Sequence, residues 1–215
     1  MKALRLGQPG DRLSVLCLGA HADDIEIGAG GALMAWIDQG LKLDVLWCVL
    51  SGGEDRQREA RASARDFLAG AAGAQIETLQ FKDGYFPALR AEIKTWFESL
   101  KLRAKPDLIL THRLDDAHQD HREVSQHSWN TFRDHFVLEY EIPKWDGDMG
   151  RPSVYVPLSA AIMERKANLL MKHYPTQQSK HWFDEEVFRA LARLRGVESA
   201  GRYAEAFFAR KLVLA

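Results

Sequence analysis

The sequence predicts an α/β fold: a single Rossmann-like domain over 1–215, with a mostly parallel sheet and helices on both faces. Three observations carry this. Apolar runs of strand length alternate with amphipathic stretches of helical period through the first two thirds of the chain, the rhythm of right-handed βαβ units. Several of those runs are almost continuously apolar, as strands covered on both faces are. The 215 residues hold no internal repeat, low-complexity tract or dividing linker, so one core is expected.

Residues 13–20 (LSVLCLGA) read as the first buried strand, and 28–39 as a helix with Leu33, Met34, Trp36 and Ile37 on a helical spacing. The second strand is 42–50 (KLDVLWCVL); the charged stretch 54–68 follows as a helix burying Ala60, Ala64, Phe67 and Leu68. Residues 76–81 alternate like a third strand, and 91–102 repeat a helix pattern through Ile93, Trp96, Phe97 and Leu100. Pro106 introduces a fourth buried strand, 107–111. Further strands are expected at 136–142 and 154–158, around a loop rich in Gly, Pro and Asp, with helices at 160–173 and 184–194. Residues 203–214 are a terminal strand or helix, which periodicity does not decide.

Composition removes several classes of function. Lys plus Arg total 29 against 30 for Asp plus Glu, a net charge of −1; a nucleic-acid binder usually carries a basic excess. No apolar stretch approaches the roughly 18–20 residues of a membrane span. Residues 1–10 are mixed polar and unlike a secretory signal. Cys17 and Cys48 lie inside apolar runs, as buried, reduced thiols of a cytoplasmic protein do.

Ligands of open parallel sheets bind at the carboxyl ends of the strands, which directs attention to residues 20–31, 51–55, 82–86 and 111–121. The first of these contains His21-Ala22-Asp23-Asp24-Ile25-Glu26. His21 and Asp24 can bind one metal from a tight loop, since imidazole nitrogen with carboxylate oxygen suits zinc. Asp23 can then sit beside the metal without binding it. A plainer reading stays open for this segment alone: Asp23 or Asp24 caps the following helix and His21 is incidental.

The last segment places three histidines and three aspartates within residues 112–121. A helix starting near Asp116 would put His118 and His121 on one face, one to ligate and the other to face substrate. Asp120 can hold a histidine tautomer. The plain alternative is a polar helix start with solvated histidines. Both clusters fall at one expected sheet edge. A His, Asp, His set leaves a fourth position open, the mark of catalytic rather than structural zinc.

These residues resemble a known family. His21-Ala22-Asp23-Asp24 with Glu26 and Gly28, and the later His118-Gln119-Asp120-His121, are similar to the A-H-P-D-D and H-x-D-H motifs of the PIG-L/LmbE family of zinc-dependent N-acetylglucosaminyl deacetylases. Arg56-Gln57-Arg58-Glu59, Asp83-Gly84, Tyr174-Pro175-Thr176-Gln177 and Tyr203-Ala204-Glu205-Ala206-Phe207 resemble its further motifs, in order, across roughly residues 14–213. Ala22 stands where the family usually has Pro, which affects loop stiffness and removes no ligand. The resemblance implies zinc (Zn2+) held by His21, Asp24 and His121, with Asp23 as general base. It implies His118 as the group that polarises or protonates, and a small N-acetylated sugar or glycoconjugate as substrate. Elementary chemistry agrees: amide hydrolysis needs activated water, a carboxylate to take its proton, and an imidazolium against the developing oxyanion.

Outside the clusters the signals are weaker. Arg56 and Asp83 read either as contacts to sugar hydroxyls or phosphate, or as surface charge and a turn. His112 reads equally as a buried hydrogen-bonded histidine or a site residue; His127 and His135 read as solvated or packed. Trp145 can stack on a sugar ring from its polar loop. Gly28-Ala29-Gly30-Gly31 lacks the G-x-G-x-x-G offset, so close helix–strand packing is favoured over a phosphate cradle. Two rival classes are a receiver-type domain, with Asp83 as acceptor and Lys144 as its lysine, and a non-catalytic nucleotide-binding module. Neither makes use of His21, His118 or His121. Oligomeric state is not legible in the sequence.

Overall fold

The computed structural model describes residues 3–213; Met1 of the polar opening stretch and Leu214 of the expected terminal element lie outside that range. The chain runs β1 (Arg12–Gly19), α1 (Asp24–Asp38), β2 (Lys42–Ser51), α2 (Glu54–Phe67), β3 (Gly73–Phe81), α3 (Arg90–Arg103), β4 (Leu108–His112) and α4 (Gln119–Thr131). It continues through β5 (Phe136–Tyr140), β6 (Val154–Leu158), α5 (Ala160–His173), α6 (Glu185–Glu198) and β7 (Tyr203–Phe208). A short 3-10 turn, Phe86–Leu89, leads into α3.

The seven strands form one sheet in the order β3-β2-β1-β4-β5-β7-β6. The first five are mutually parallel, and β7 pairs antiparallel with both β5 and β6. The fold class read from the sequence is therefore the observed one. The 203–214 ambiguity resolves as a strand because Tyr203–Phe208 fills the gap between β5 and β6. β3 begins at Gly73, earlier than its alternating stretch suggests, because it is the edge strand and stays half exposed.

The sheet alternation divides the core. On β1, Val15 and Cys17 face a layer made by α1, α2 and α5, including Ile25, Ala29, Phe67 and Met163. Leu16 and Leu18 face the other layer, with Ile93 and Phe97 of α3 and Val124 of α4. Burial on both faces is why β1 and β2 read as nearly unbroken apolar runs. Cys17 and Cys48 are buried free thiols. No helix among the described residues is long and apolar enough to cross a membrane.

The glycine run in α1 serves packing. A Cβ at Gly28 would collide with the Tyr140 ring, and one at Gly31 would lie 2.7 Å from Leu158 Cδ1. Tyr140 in turn donates its hydroxyl to Leu18 O at 2.6 Å, so α1, β1 and β5 are drawn together where the chemistry-bearing loop leaves the sheet. On the far side of α1, Glu205 of β7 accepts from the Gly31 and Ala32 amides at 2.7 and 2.6 Å. Lys166 of α5 donates to Ile27 O at 2.6 Å and pairs with Glu205. The closing Y-A-E-A-F segment thus grips the helix that carries Asp24.

His127 of α4 offers a check on the folded state. It is buried against Phe97 and neither ring nitrogen has a hydrogen-bond partner. Burial, helped by Arg90 and Lys94, pushes its pKa down to about 4, below the roughly 6.5 of an unfolded histidine. Between those values the unfolded chain takes up a proton that the folded chain refuses, so this residue costs stability as pH falls through the window. His127→Leu should show a shallower loss of urea-unfolding stability from pH 7 to 4.5 than the wild type. Parallel slopes would contradict the assignment.

Candidate functional site

The chain leaves β1 at Gly19 and turns into α1 through His21, Ala22 and Asp23. Asp23 occupies the N-cap position but its side chain makes no capping hydrogen bond. Asp24 folds back to accept the His21 amide at 2.6 Å through Oδ2. Neither carboxylate caps the helix, so the plain reading of this segment is overturned.

The second cluster meets the first across the β1–β4 pairing. The helix expected near Asp116 begins later, at Gln119, because Asp116 Oδ1 accepts the His118 amide at 2.8 Å and holds residues 116–118 as a turn. His118 becomes the N-cap of α4, its Nδ1 accepting from the Asp120 amide at 3.2 Å. His121, one turn on, points at the first cluster.

Donor atoms of three residues converge there. His21 Nδ1 lies 3.1 Å from His121 Nε2 and 3.3 Å from Asp24 Oδ2, and His121 Nε2 lies 3.4 Å from Asp24 Oδ1. Ligands of a tetrahedral zinc ion at 2.0–2.1 Å stand about 3.3 Å apart; the two nitrogens have about that spacing, and each has one of the two Asp24 oxygens at a similar distance. The electrostatics agree. Burial disfavours protonation of His21, yet Asp24, Asp120 and Asp83 outweigh it and raise its pKa well above the usual histidine value. Burial likewise opposes charge on Asp24, but His121, His112 and His21 hold its carboxyl far below the usual range. Surroundings that favour a proton on His21 favour a cation in its place.

The neighbouring histidines are engaged differently. His112 is buried at the end of β4, where Nε2 accepts the Ala20 amide at 3.0 Å and its ring stacks on His121 at 3.9 Å. Burial pushes its pKa down to about 4. The same Nε2 nitrogen lies 3.1 Å from Asp24 Oδ2, so His112, Asp24 and His121 form an overlapping group able to hold a metal. His118 packs its ring 4.6 Å from that of His121 and 4.8 Å from that of His21. Because Nδ1 accepts a backbone amide, the neutral ring carries its proton on Nε2. Burial and the adjacent His121 and His21 lower its pKa. With Nδ1 so engaged, Nε2 is the nitrogen His118 presents to the site.

Ring orientation comes from carboxylates. Asp120 Oδ2 lies 3.3 Å from His21 Nε2, leaving Nδ1 toward Asp24. Asp120 also accepts the Gly84 amide at 2.6 Å and the Phe86 amide at 3.1 Å, tying the loop after β3 to the centre. Asp83 of that loop brings Oδ1 to 3.1 Å from His21 Nε2 while its side chain stays 72% exposed. Asp116 Oδ2 lies 3.1 Å from His121 Nδ1 and plays the matching part there. Sequence reasoning takes Asp116 only as a helix start; its place in the His/Asp cluster is the signal that could have found it. Lys144, from the loop after β5, sits 3.1 Å from Asp116 Oδ1 and 2.7 Å from Asp148.

Asp23 lies at the edge of this constellation, 4% exposed. One oxygen is 3.0 Å from Arg56 Nη2; the other, Oδ2, is buried without a partner. Burial raises the Asp23 pKa, Arg56 restrains the rise and Asp24 adds to it. Arg56 reaches the site through Asp23 and is braced by Glu59 at 2.8 Å and Thr176 Oγ1 at 3.3 Å. Thr176 donates its own amide and hydroxyl to Glu59 at 3.1 and 2.7 Å. Tyr174 donates to Ala22 O and to buried Glu26, so the late Tyr-Pro-Thr-Gln segment buttresses the first loop.

The family described as GlcNAc-PI de-N-acetylase (PIG-L) matches residues 16–132, the stretch that holds both clusters. Solved structures share the fold across nearly the whole chain. The 4-carboxy-2-hydroxymuconate hydratase from Pseudomonas putida KT2440 is 20% identical with a TM-score of 0.73, covering 94% of this chain and 98% of that one. A conserved protein from Thermus thermophilus is 22% identical with a TM-score of 0.72, covering 94% and 97%. The N,N'-diacetylchitobiose deacetylase from Pyrococcus horikoshii is 20% identical with a TM-score of 0.65, covering 91% and 83%. A hydratase and a deacetylase thus share one scaffold, so the likeness speaks for architecture. With more than half the chain matched and both His/Asp clusters inside the match, the chain belongs to the PIG-L family.

Proposed function

We propose that this protein is a zinc-dependent N-deacetylase acting on an N-acetylglucosamine-type sugar or its conjugate. One observation carries the proposal: His21 Nδ1 and His121 Nε2 lie 3.1 Å apart, each within 3.4 Å of one of the Asp24 oxygens, and the adjacent residue Asp23 has a buried oxygen with no partner. Family membership favours the deacetylase over the hydration chemistry that the same fold also hosts. The receiver-type and nucleotide-binding alternatives leave this convergence without a purpose.

His21, Asp24 and His121 would hold the metal. What zinc supplies when bound is Lewis acidity toward water and toward an acyl oxygen. The protein supplies the rest. Asp23 Oδ2 accepts the proton of the attacking water, and the pair with Arg56 through Oδ1 fixes its direction. His118 donates Nε2–H to the acyl oxygen as negative charge develops there, a preorganised neutral donor. The proton taken by Asp23 is then available to the leaving amine. Asp120 and Asp116 hold the tautomers of His21 and His121; Asp120 is thus a positioning residue in this scheme. Arg56 and Asp83, at the mouth, are proposed substrate contacts in addition to the pairs they make within the chain.

Asp116→Ala gives the first check. Removing an outer carboxylate from a ligating histidine typically weakens metal binding 10–100-fold. Chelator competition should show a loss of that size with the fold intact by circular dichroism. Unchanged affinity would separate Asp116 from the metal centre. The reading as a whole is tested by acetate release from N-acetylglucosamine, N,N'-diacetylchitobiose and glycoconjugates, with zinc-loaded protein.

A further inference from the structure

Trp145 stands out from the loop after β5, 67% exposed, with its ring centroid 4.0 Å from that of His181. Isolated exposed indoles are ordinary; the anchoring of this one is not. Its neighbour Lys144 is buried on Asp116, which holds His121. Asp148, on the same loop, accepts the Ala117 amide at 2.7 Å. The loop is thereby fixed to the His121 side of the centre. His181 belongs to the segment that begins at Tyr174 and Thr176, whose contacts to Glu59 and Arg56 fix it to the Asp23 side. The Trp145–His181 contact is where these two anchored segments meet.

We propose that Trp145, backed by His181, is a specificity residue that stacks on the sugar ring next to the one bearing the acetamido group. This inference rests on the deacetylase reading for the reaction and adds the subsite. An indole face matches the apolar C–H face of a pyranose. Lys144 and Asp148 are paired with each other, while exposed Asp146 and His181 near the indole offer partners to ring hydroxyls, which suits a sugar better than an acyl chain.

The test compares wild type, Trp145→Ala and Trp145→Phe on N-acetylglucosamine and N,N'-diacetylchitobiose, following acetate release at equal zinc content. Trp145→Ala should lower the disaccharide-to-monosaccharide ratio of kcat/KM by roughly tenfold, through KM for the disaccharide, and Trp145→Phe should recover most of it. A ratio that Trp145→Ala leaves unmoved overturns the inference. Calorimetric titration of the disaccharide into zinc-loaded protein reports binding apart from turnover. If wild type binds it roughly tenfold more tightly than Trp145→Ala yet releases no acetate, the subsite stands and the reaction assigned above fails. If wild type does not bind it, or Trp145→Ala binds it equally, the subsite fails.

Discussion

Asp23→Asn retains its zinc and loses roughly 10²–10⁴-fold in kcat, the usual span for removing a general base. The substitution keeps size and shape. Arg56 retains Glu59 at 2.8 Å and Thr176 at 3.3 Å, and the amide oxygen of the substituted side chain can still face the guanidinium. What disappears is a buried oxygen able to take a proton. Because that proton moves only in the transition state, kcat and kcat/KM should fall together, with little change in KM. Metal content by elemental analysis should match the wild type, since His21, Asp24 and His121 are untouched. A fully metallated Asp23→Asn enzyme with near-normal turnover would remove Asp23 from the mechanism and leave the metal site standing.

His121→Ala produces a different failure, in which metal and activity are lost together. A three-residue site loses a third of its protein ligands, so affinity should fall by more than the roughly 100-fold upper range for loss of an outer partner. The fold should survive. Asp116 keeps Lys144 at 3.1 Å and Asp24 keeps the His21 amide at 2.6 Å, so neither buried carboxylate is left without a partner. Chelator competition reads the affinity and circular dichroism the fold. Tight, stoichiometric zinc in the His121→Ala protein would show that the ligands lie elsewhere in the cluster, with His112 and His118 the neighbouring imidazoles.

The elements legible in the sequence are those whose neighbours impose one period. β1 and β2 are covered on both faces and read as apolar runs; α2 and α3 are covered on one and read as amphipathic helices. β3 is at the sheet edge and half exposed, so its first residues carry no signal. β7 is decided by pairing with β6 and β5, partners that periodicity in 203–214 does not reveal. The same division holds in the site. His21, Asp23, Asp24, His118 and His121 are legible because their types and spacing recur in a known family and sit at strand ends. The part played by Asp116 depends on a turn that ends before α4 starts, and that of Lys144 on a loop returning to it. The state of His118 depends on which nitrogen meets the Asp120 amide. These are tertiary facts. Arg56 reads from sequence as a substrate contact or a surface charge, and only the fold brings it to 3.0 Å from Asp23.

On the function proposed above, a zinc ion on His21, Asp24 and His121 makes this chain an N-deacetylase. The most direct test is acetate released from N-acetylated glucosamine substrates by one preparation, before chelation, after chelation and after zinc is returned. Release should fall to background on chelation and return with about one equivalent of zinc per chain. Release that persists in the chelated protein, or its absence from every such substrate with zinc bound, would contradict it.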